Sequence, residues 1–412
     1  MRKQNIDGVQ DGARKITRRF VLSAVALSVA GASIALTPPV MAAPATDAPT
    51  AAYSYPVVPG TAAWASLSTH DDMLRVTQIP AATLAAMPTA ALVDTVLRYP
   101  LFDDMQAFNT PQQGFDKMSS RFNGFAALAA RPDAGAELLK RYESMSPAVA
   151  PKATLLQQGQ LDSSLRRIEA LLAQDAFRRT LNPDQLTQLV EESQEKLRAK
   201  VARADVYGFV GQASTSLVIG RAVAAKSPSV AQGLESDAAT RSFLATGDAR
   251  SAEPLQRATG SSDTVFGTTD TSTTVKTPKG SSVTATKVTT ELSAAQIATN
   301  DRWVASNYPK ATRHRSSTRK YNCHSYAWHS TSTSNNIWID NPAKYWTDGS
   351  YRLNSNLGQA GRKVFYPNGD HSAITINTTE FYSKWGQLGL MRHVYNYSPY
   401  TATSLKYYSR AS

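Results

Sequence analysis

Cysteine is the scarcest residue in this chain, since only Cys323 occurs among 412 residues. A single thiol cannot form a disulfide within the chain, so a small fold stapled by disulfides is excluded. The dense cysteine and histidine spacings of structural zinc sites are also missing. In an oxidising compartment a lone thiol is a liability unless it is buried or used, which makes Cys323 a candidate for chemistry.

Charged residues are also sparse, at 18%, against 42% hydrophobic residues. This composition is typical of a globular chain, and the length is sufficient for two domains with their own cores. The formal net charge is +12. No predicted helix carries a stripe of Arg and Lys, so nucleic acid is not an expected partner. A basic exported protein would instead be attracted to anionic cell-wall polymers.

An uncharged apolar run from Phe20 to Leu36 follows the pair Arg18 and Arg19. The run is short for a membrane span and leads to small residues near position 42, which predicts a signal peptide over 1–42. The arginine pair resembles a twin-arginine export signal, with an ordinary Sec signal as the alternative. We therefore expect a bacterial protein that is secreted or periplasmic, with no stable membrane span in the mature chain. Residues 1–42 carry six Lys/Arg and two Asp/Glu, so their removal leaves a net charge near +8.

Residues 43–80 are rich in Ala, Thr and Pro and predict a flexible tether. Residues 81–210 predict a helical domain. The apolar residues Phe115, Met118, Phe122 and Phe125 recur at steps of three and four, which indicates a buried helix face more than a ligand groove.

The clearest helix start in this domain is Asn182, which can cap the helix, followed by Pro183 at the first helical position. Residues 211–284 are rich in Ala, Ser, Thr and Gly and predict a linker that contains a β-hairpin, with strands at 272–276 and 282–288. Ser293 and Gln296 form a capping-box pattern soon after the start of the C-terminal domain, which we place at 285–412.

Asn322 precedes Cys323, and residues 324–330 contain neither proline nor glycine. This pattern predicts a helix that begins at or next to Cys323. The free N–H groups and the positive end of the helix dipole would then favour a thiolate at the sulfur. A nucleophilic cysteine needs this preference for the thiolate over the thiol.

A thiolate that attacks a carbonyl also needs a proton carrier, usually a histidine held by a polar group. His371 lies 48 residues downstream and begins a predicted strand. If this strand and the next form an antiparallel hairpin centred on Thr378, Ser383 shares the face of His371 and Lys384 points away. Ser383 is therefore the candidate that orients His371. His393, on a third predicted strand, is a supporting residue for the same site.

Tryptophans near the predicted site could wall a groove for a peptide or a sugar, although buried packing of the same rings is equally consistent with the pattern. These residues are Trp338, Trp346 and Trp385. A zinc site is disfavoured because the candidate ligands lack metal-site spacing. Those candidates are Cys323, His324, His329 and His371.

Three segments together resemble the NlpC-type and CHAP families of papain-like cysteine peptidases and amidases, in a poorly characterised bacterial secreted branch. They are YNCHSYAW at 321–328, GDHSAI at 369–374 and SKWG at 383–386, with His393 beyond them. The resemblance covers about residues 300–400. It implies an α+β chain, with a helical N-terminal domain followed by a small papain-like domain whose antiparallel sheet packs on the cysteine helix.

The resemblance further implies Cys323 as nucleophile and His371 as general base and then acid, with no cofactor and no metal. Ser383 departs from the residue that these families usually place third. The backbone N–H of Cys323, helped by Tyr321, would bind the oxyanion. The expected function is hydrolysis of an amide bond, with peptidoglycan peptides as the first substrate class. Alternatives are transamidation, deamidation or acyl transfer at the same site, and a wall- or surface-binding module with a degenerate site.

Overall fold

The computed structural model describes residues 51–249, 253–260, 270–354 and 359–411. The predicted signal peptide at 1–42 and the first residues of the predicted tether lie outside this part of the chain. A helical N-terminal region is followed by a C-terminal region of antiparallel sheets, so the predicted α+β class is confirmed at this level.

The first helices are short and are connected by tight turns. They are α1 (Ala62–Ser66), α2 (His70–Val76), α3 (Ala81–Ala86), α4 (Thr89–Leu97), a 3₁₀ helix (Phe102–Ala107), α5 (Pro111–Ser119), α6 (Asn123–Ala129) and α7 (Ala134–Glu143). The predicted aromatic face lies in their core, where Phe122 stacks on Tyr99 with ring centroids 3.9 Å apart. The interpretation of this face as core is therefore confirmed.

In the residues that the structure describes, eight further helices, four of them with 14 or more residues, belong to the helical region. They are α8 (Leu155–Leu172), α9 (Asp175–Arg178), α10 (Pro183–Ala202), α11 (Ala204–Lys226), α12 (Pro228–Ser236), α13 (Ala238–Thr246), α14 (Glu253–Thr259) and α15 (Ala294–Asn307). The predicted caps are confirmed. Asn182 accepts from the backbone of Gln185 at 2.8 Å, and Ser293 accepts from the backbone of Gln296 at 3.1 Å.

Two expectations about irregular segments are wrong. Residues 51–80 of the predicted tether are folded: Trp64 is fully buried and its Nε1 donates to the carbonyl of Asn307 at 2.7 Å. The predicted linker at 211–284 is helical at 211–226, 228–236, 238–246 and 253–259. Its small residues serve close packing, since a Cβ on Gly220 would lie 2.8 Å from the Cβ of Ala258. Small residues at helix contacts lack the apolar periodicity that predicts a helix.

The β-hairpin predicted within that segment is confirmed. Strands β1 (Thr271–Lys276) and β2 (Ser282–Lys287) pair antiparallel, with Val275 opposite Val283. Strand β4 (Ile337–Trp338) pairs with β2 and completes a small three-stranded sheet.

The main sheet has seven strands, namely β3 (Thr312–Arg315), β5 (Tyr351–Leu353), β6 (Lys363–Tyr366), β7 (His371–Thr375), β8 (Glu380–Lys384), β9 (Leu390–Val394) and β10 (Lys406–Arg410). Their order in the sheet is β3-β9-β8-β7-β6-β10-β5, and its pairs are antiparallel. A short helix, α16 (Lys344–Thr347), precedes β5. Thr375 lies opposite Phe381, which is the predicted register of β7 and β8.

The two faces of the main sheet pack on different parts of the chain. One face, which includes Val364, Ala373 and Phe381, belongs to the same hydrophobic core as the helical region. The other face, with Ile374 and Tyr382, packs near the segment that contains Cys323. The described helices and strands all belong to one compact unit, so the core continues across the predicted domain boundary at 285.

The contact between α8 and α15 gives a test of this shared core. A Cβ on Gly159 in α8 would lie 2.1 Å from the carbonyl oxygen of Ala295 in α15, so a side chain there must push the helices apart. We expect Gly159→Ala to lower the free energy of unfolding by about 3 kcal/mol in urea denaturation. Gly233→Ala is the matched control, because Gly233 in α12 is exposed and a Cβ added there would have no atom within 4 Å. Equal stability of the two variants would contradict close packing at this contact.

Candidate functional site

Asn322 fixes the start of the helix that carries Cys323. Its side-chain oxygen accepts from the backbone of Ser325 at 3.0 Å and from the backbone of Ile339 at 3.2 Å, and its Nδ2 donates to the carbonyl of Ile339 at 2.6 Å. Helical residues begin at Cys323 and continue into a π-helical turn at Ser325–His329. The prediction of a helix start at the cysteine is confirmed. We call this element the cysteine helix.

The thiol of Cys323 is free and buried, with 2% of the residue exposed. Three polar groups interact with it electrostatically, namely the side chains of His324, Lys384 and Tyr400. Lys384 lies on the opposite face of β8 from Ser383, as predicted, and its Nζ donates to the carbonyl oxygens of Gly386 and Leu388, both at 2.6 Å. The sulfur therefore lies among groups that carry or donate protons.

His324 is a residue of the site whose role the sequence did not indicate. Its Nδ1 lies 2.8 Å from Ser372 Oγ, and its Nε2 lies 3.4 Å from a carboxylate oxygen of Asp370. Burial opposes protonation of His324, but the neighbouring Cys323 and Asp370 outweigh it and raise its pKa to about 10. The charged form of His324 is therefore favoured when Cys323 is a thiolate.

Asp370 connects this histidine to the helical region. It has a left-handed backbone with φ of 47°, and its Oδ2 accepts from Asn109 Nδ2 at 3.1 Å and from Gln113 Nε2 at 2.6 Å. Burial alone would raise the pKa of Asp370, but the ion pair with His324, together with these amide donors, holds it below its usual value. Asp370 is thus an anion held from two sides.

His371 is the first residue of β7, as predicted, and is fully buried. Its ring stacks on Tyr400, with centroids 3.5 Å apart and planes at 10°. Within the described part of the chain, neither ring nitrogen has a hydrogen-bond partner. Burial, with smaller contributions from His393 and His324, lowers the pKa of His371 well below 6.5, so this ring is neutral.

Ser383 shares the face of His371 because the predicted register holds, but its hydrogen bonds go elsewhere. Ser383 Oγ lies 2.6 Å from His393 Nε2 and accepts from Trp385 Nε1 at 3.0 Å. The expected hydrogen bond from Ser383 to His371 is therefore not formed. The serine hydroxyl is paired instead with His393, which lies on the neighbouring strand β9.

Tyr321 and Trp385, which the sequence also assigned to the site, are both buried. Tyr321 is buried beneath Lys384, whose Nζ lies 5.2 Å from the ring centroid, and its hydroxyl accepts from Arg315 at 3.5 Å. Trp385 is fully buried against Tyr308 in the shared core, so it does not wall a groove.

The other two tryptophans of the predicted groove have different surroundings. Trp346 stacks on Tyr408 with centroids 5.2 Å apart. Trp338 lines a cavity of about 110 Å³ between the helical region and the small sheet. Its Nε1 has no hydrogen-bond partner among the described residues.

Protonation of the buried histidines gives a test at acid pH. Burial lowers the pKa of His393 to about 4, below the unfolded value of about 6.5, so the unfolded chain binds a proton that the folded chain does not. This contribution to stability is present above pH 6.5 and is lost as the pH falls towards 4, by up to about 1.4 kcal/mol per pH unit. We expect His393→Gln to reduce the slope of the unfolding free energy against pH between pH 4 and 6.5. The reduction should correspond to about one proton fewer taken up on unfolding.

The control for this measurement is His314→Gln, because His314 is exposed. The slope is obtained from urea denaturation at several pH values. Identical slopes for wild type and His393→Gln would contradict a neutral buried His393.

Among residues 51–249, 253–260, 270–354 and 359–411, no group of three or more His, Cys, Asp or Glu side chains is placed to hold a metal ion. No described helix has both the length and the apolar character needed to cross a bilayer. No family model, curated protein or solved structure matches this chain.

Proposed function

We propose that this protein is an exported cysteine hydrolase that cleaves an amide bond with Cys323 as nucleophile, in a C-terminal region of papain-like type. One observation carries the proposal. The only thiol of the chain lies at a capped helix start beside His324, which is itself held by Asp370 and Ser372. A cation next to sulfur and free N–H groups at a helix start both favour the thiolate over the thiol.

In the proposed reaction the sulfur of Cys323 attacks the carbonyl carbon, and the C–N bond then breaks to leave a thioester. The thiol proton passes to an imidazole and from there to the departing nitrogen. Water then cleaves the thioester, which releases a carboxylate and restores the thiol. The backbone N–H of Cys323 donates to the oxyanion.

Two histidines suit different parts of this reaction. His324 interacts directly with Cys323, whereas His371 is connected to the thiol through His324 and through Tyr400, on which its ring stacks. His371 can act as the proton carrier because it is neutral and neither ring nitrogen is engaged by another described residue, although its lowered pKa makes it a weaker base than a free imidazole. His324 suits the counter-ion of the thiolate, because Asp370 and Cys323 keep it charged. This division gives His324 a role that the sequence did not indicate and keeps the predicted role of His371.

The substrate class rests on charge and on the export signal. The leader at 1–42 would carry the chain out of the cytoplasm, and the net charge near +8 that remains after its removal attracts the protein to anionic cell-wall polymers. Peptidoglycan peptides meet the protein there and contain many amide bonds. Hydrolysis of these peptides is therefore the activity to test first, in a secreted or periplasmic protein.

Digestion of purified peptidoglycan in ¹⁸O-labelled water tests the proposal. We expect wild type to release fragments whose new carboxylates contain solvent oxygen, which separates hydrolysis from transfer to another amine. Cys323→Ser should release none, and His371→Asn should lower kcat by about a hundredfold or more, the usual loss when a general base is removed. Fragments are identified by mass spectrometry.

The matched control is His329→Gln, which changes an exposed histidine on the same helix and should retain activity. His324→Gln should lower activity less than His371→Asn, since it removes a charge and leaves the proton carrier. Identical fragment profiles from wild type and Cys323→Ser would remove the hydrolase proposal for this substrate.

A wall-binding module with a degenerate site is the second candidate. It is favoured by the pairing of Ser383 with His393, which leaves His371 without a group to orient it. In that case binding to cell walls persists in Cys323→Ala and weakens with added salt, because it depends on charge. No turnover by any variant would accompany it.

A further inference from the structure

A segment of the helical region lies across the point where the three sequence segments around Cys323, His371 and Ser383 converge. This segment, residues 106–113, runs from the end of the 3₁₀ helix into the first turn of α5, and we call it the covering segment. Cys323 is 2% exposed and His371 is fully buried, so a substrate has no route to either side chain while the covering segment is in place.

The covering segment contacts each of the three sequence segments. Asn322, next to the cysteine, donates to Asn109 Oδ1 at 2.9 Å, and Asp370, next to His371, accepts from Asn109 and from Gln113. Gln387, just beyond SKWG, donates its backbone N–H to the carbonyl of Gln106 at 2.9 Å.

Tyr400 adds a fourth contact. It stacks on His371 and donates its hydroxyl to the carbonyl of Ala107 at 2.5 Å. These contacts come from segments far apart in the sequence, and they all meet one eight-residue stretch.

The hydrogen-bond partners of the Asn109 side chain are a donor and an acceptor, which is the pair that any amide group requires. Its oxygen accepts from the Nδ2 of Asn322 on one side, and its nitrogen donates to the carboxylate of Asp370 on the other. A donor and an anionic acceptor that flank one carboxamide would bind a substrate amide with the same polarity. A carboxylate in that position would face the charge of Asp370 and be rejected.

We propose that the Asn109 carboxamide occupies the position where this site binds an amide of its substrate, so that the covering segment closes the site until it is displaced. This inference rests on the proposed function, since it names the amide group that the proposed hydrolase would recognise. Displacement breaks the hydrogen bonds to Asn322, Asp370, Gln387 and Tyr400, and it also withdraws the buried side chains of Ala107 and Phe108 from the edge of the shared core.

The single cysteine makes the test direct, because any thiol labelling of the full chain reports on Cys323 alone. We expect the wild-type thiol to react with Ellman's reagent far more slowly in the folded chain than in urea. The double variant Asn109→Ala, Gln113→Ala should react about tenfold faster than wild type, because a lost hydrogen bond to a charged group shifts an opening equilibrium by about this factor.

The matched control is Gln112→Ala. Gln112 lies in the same helical turn, but its side chain bonds to Asp116, Gln174 and Arg221 in the helical region. Its labelling rate should equal that of wild type. Equal rates for the double variant and wild type, or equal acceleration by Gln112→Ala, would overturn the closing role.

A second measurement needs no variant and guards against misfolding of the double variant. The labelling rate of wild type is measured at low urea concentrations, where local opening depends weakly on urea and global unfolding depends strongly on it. We expect the weak dependence. Labelling that follows only global unfolding would mean that the covering segment does not open separately.

Recognition of an amide at this position is tested with iodoacetamide and iodoacetate. Both reagents alkylate the same thiol, but the first carries an amide where the second carries a carboxylate. In the double variant the vacated position should favour iodoacetamide, so the ratio of the two rates should exceed the ratio in the unfolded chain by about tenfold. An unchanged ratio would overturn amide recognition. Because labelling does not depend on turnover, an opened and reactive variant that leaves peptidoglycan intact would remove the hydrolase proposal alone.

Discussion

The alternation of side chains along β7 is the constraint on which the candidate site depends. Successive residues of a strand point to opposite faces, so His371 faces the helical region while Ser372 faces the cysteine helix. Ser372 Oγ accepts from Trp328 Nε1 at 2.8 Å and lies 2.8 Å from His324, which ties the cysteine helix to the sheet. The site therefore forms at the end of β7, where both faces of the sheet contribute.

Two equally buried histidines of this site have opposite pKa shifts. His324 and His371 are both fully buried, which lowers both pKa values, yet one pKa is raised to about 10 and the other lies well below 6.5. The difference comes from their neighbours, since His324 has the sulfur of Cys323 and the carboxylate of Asp370, and His371 has the ring of Tyr400. An anion offsets the desolvation of a cation, whereas an aromatic face without a hydrogen bond does not. Two imidazoles of one site can thus hold different charges at one pH.

Local patterns predicted the local structure well. The caps at Asn182 and Ser293, the hairpin of β1 and β2 and the register of β7 and β8 follow from residues that are near in sequence. Long-range contacts could not be predicted in this way. Trp64 becomes an anchor only through the carbonyl of Asn307, 243 residues later, so a composition typical of a tether was misleading. Ser383 bonds to His393 on the neighbouring strand β9 and not to His371 on β7.

At the candidate site, too, local structure could be predicted and long-range contacts could not. The helix start at Cys323 and the strand start at His371 could be read from the sequence, but His324 gains its role only from Asp370 across the fold. The covering segment was not predictable either, because its contacts span more than 200 residues. It is anchored at both ends in the core, by Phe102 in the 3₁₀ helix before it and Phe115 in α5 after it. Between these anchors the segment is held across the site by hydrogen bonds and by the buried side chains of Ala107 and Phe108. Its opening is therefore a local unfolding step, and this explains how one compact unit could both protect a lone thiol and expose it.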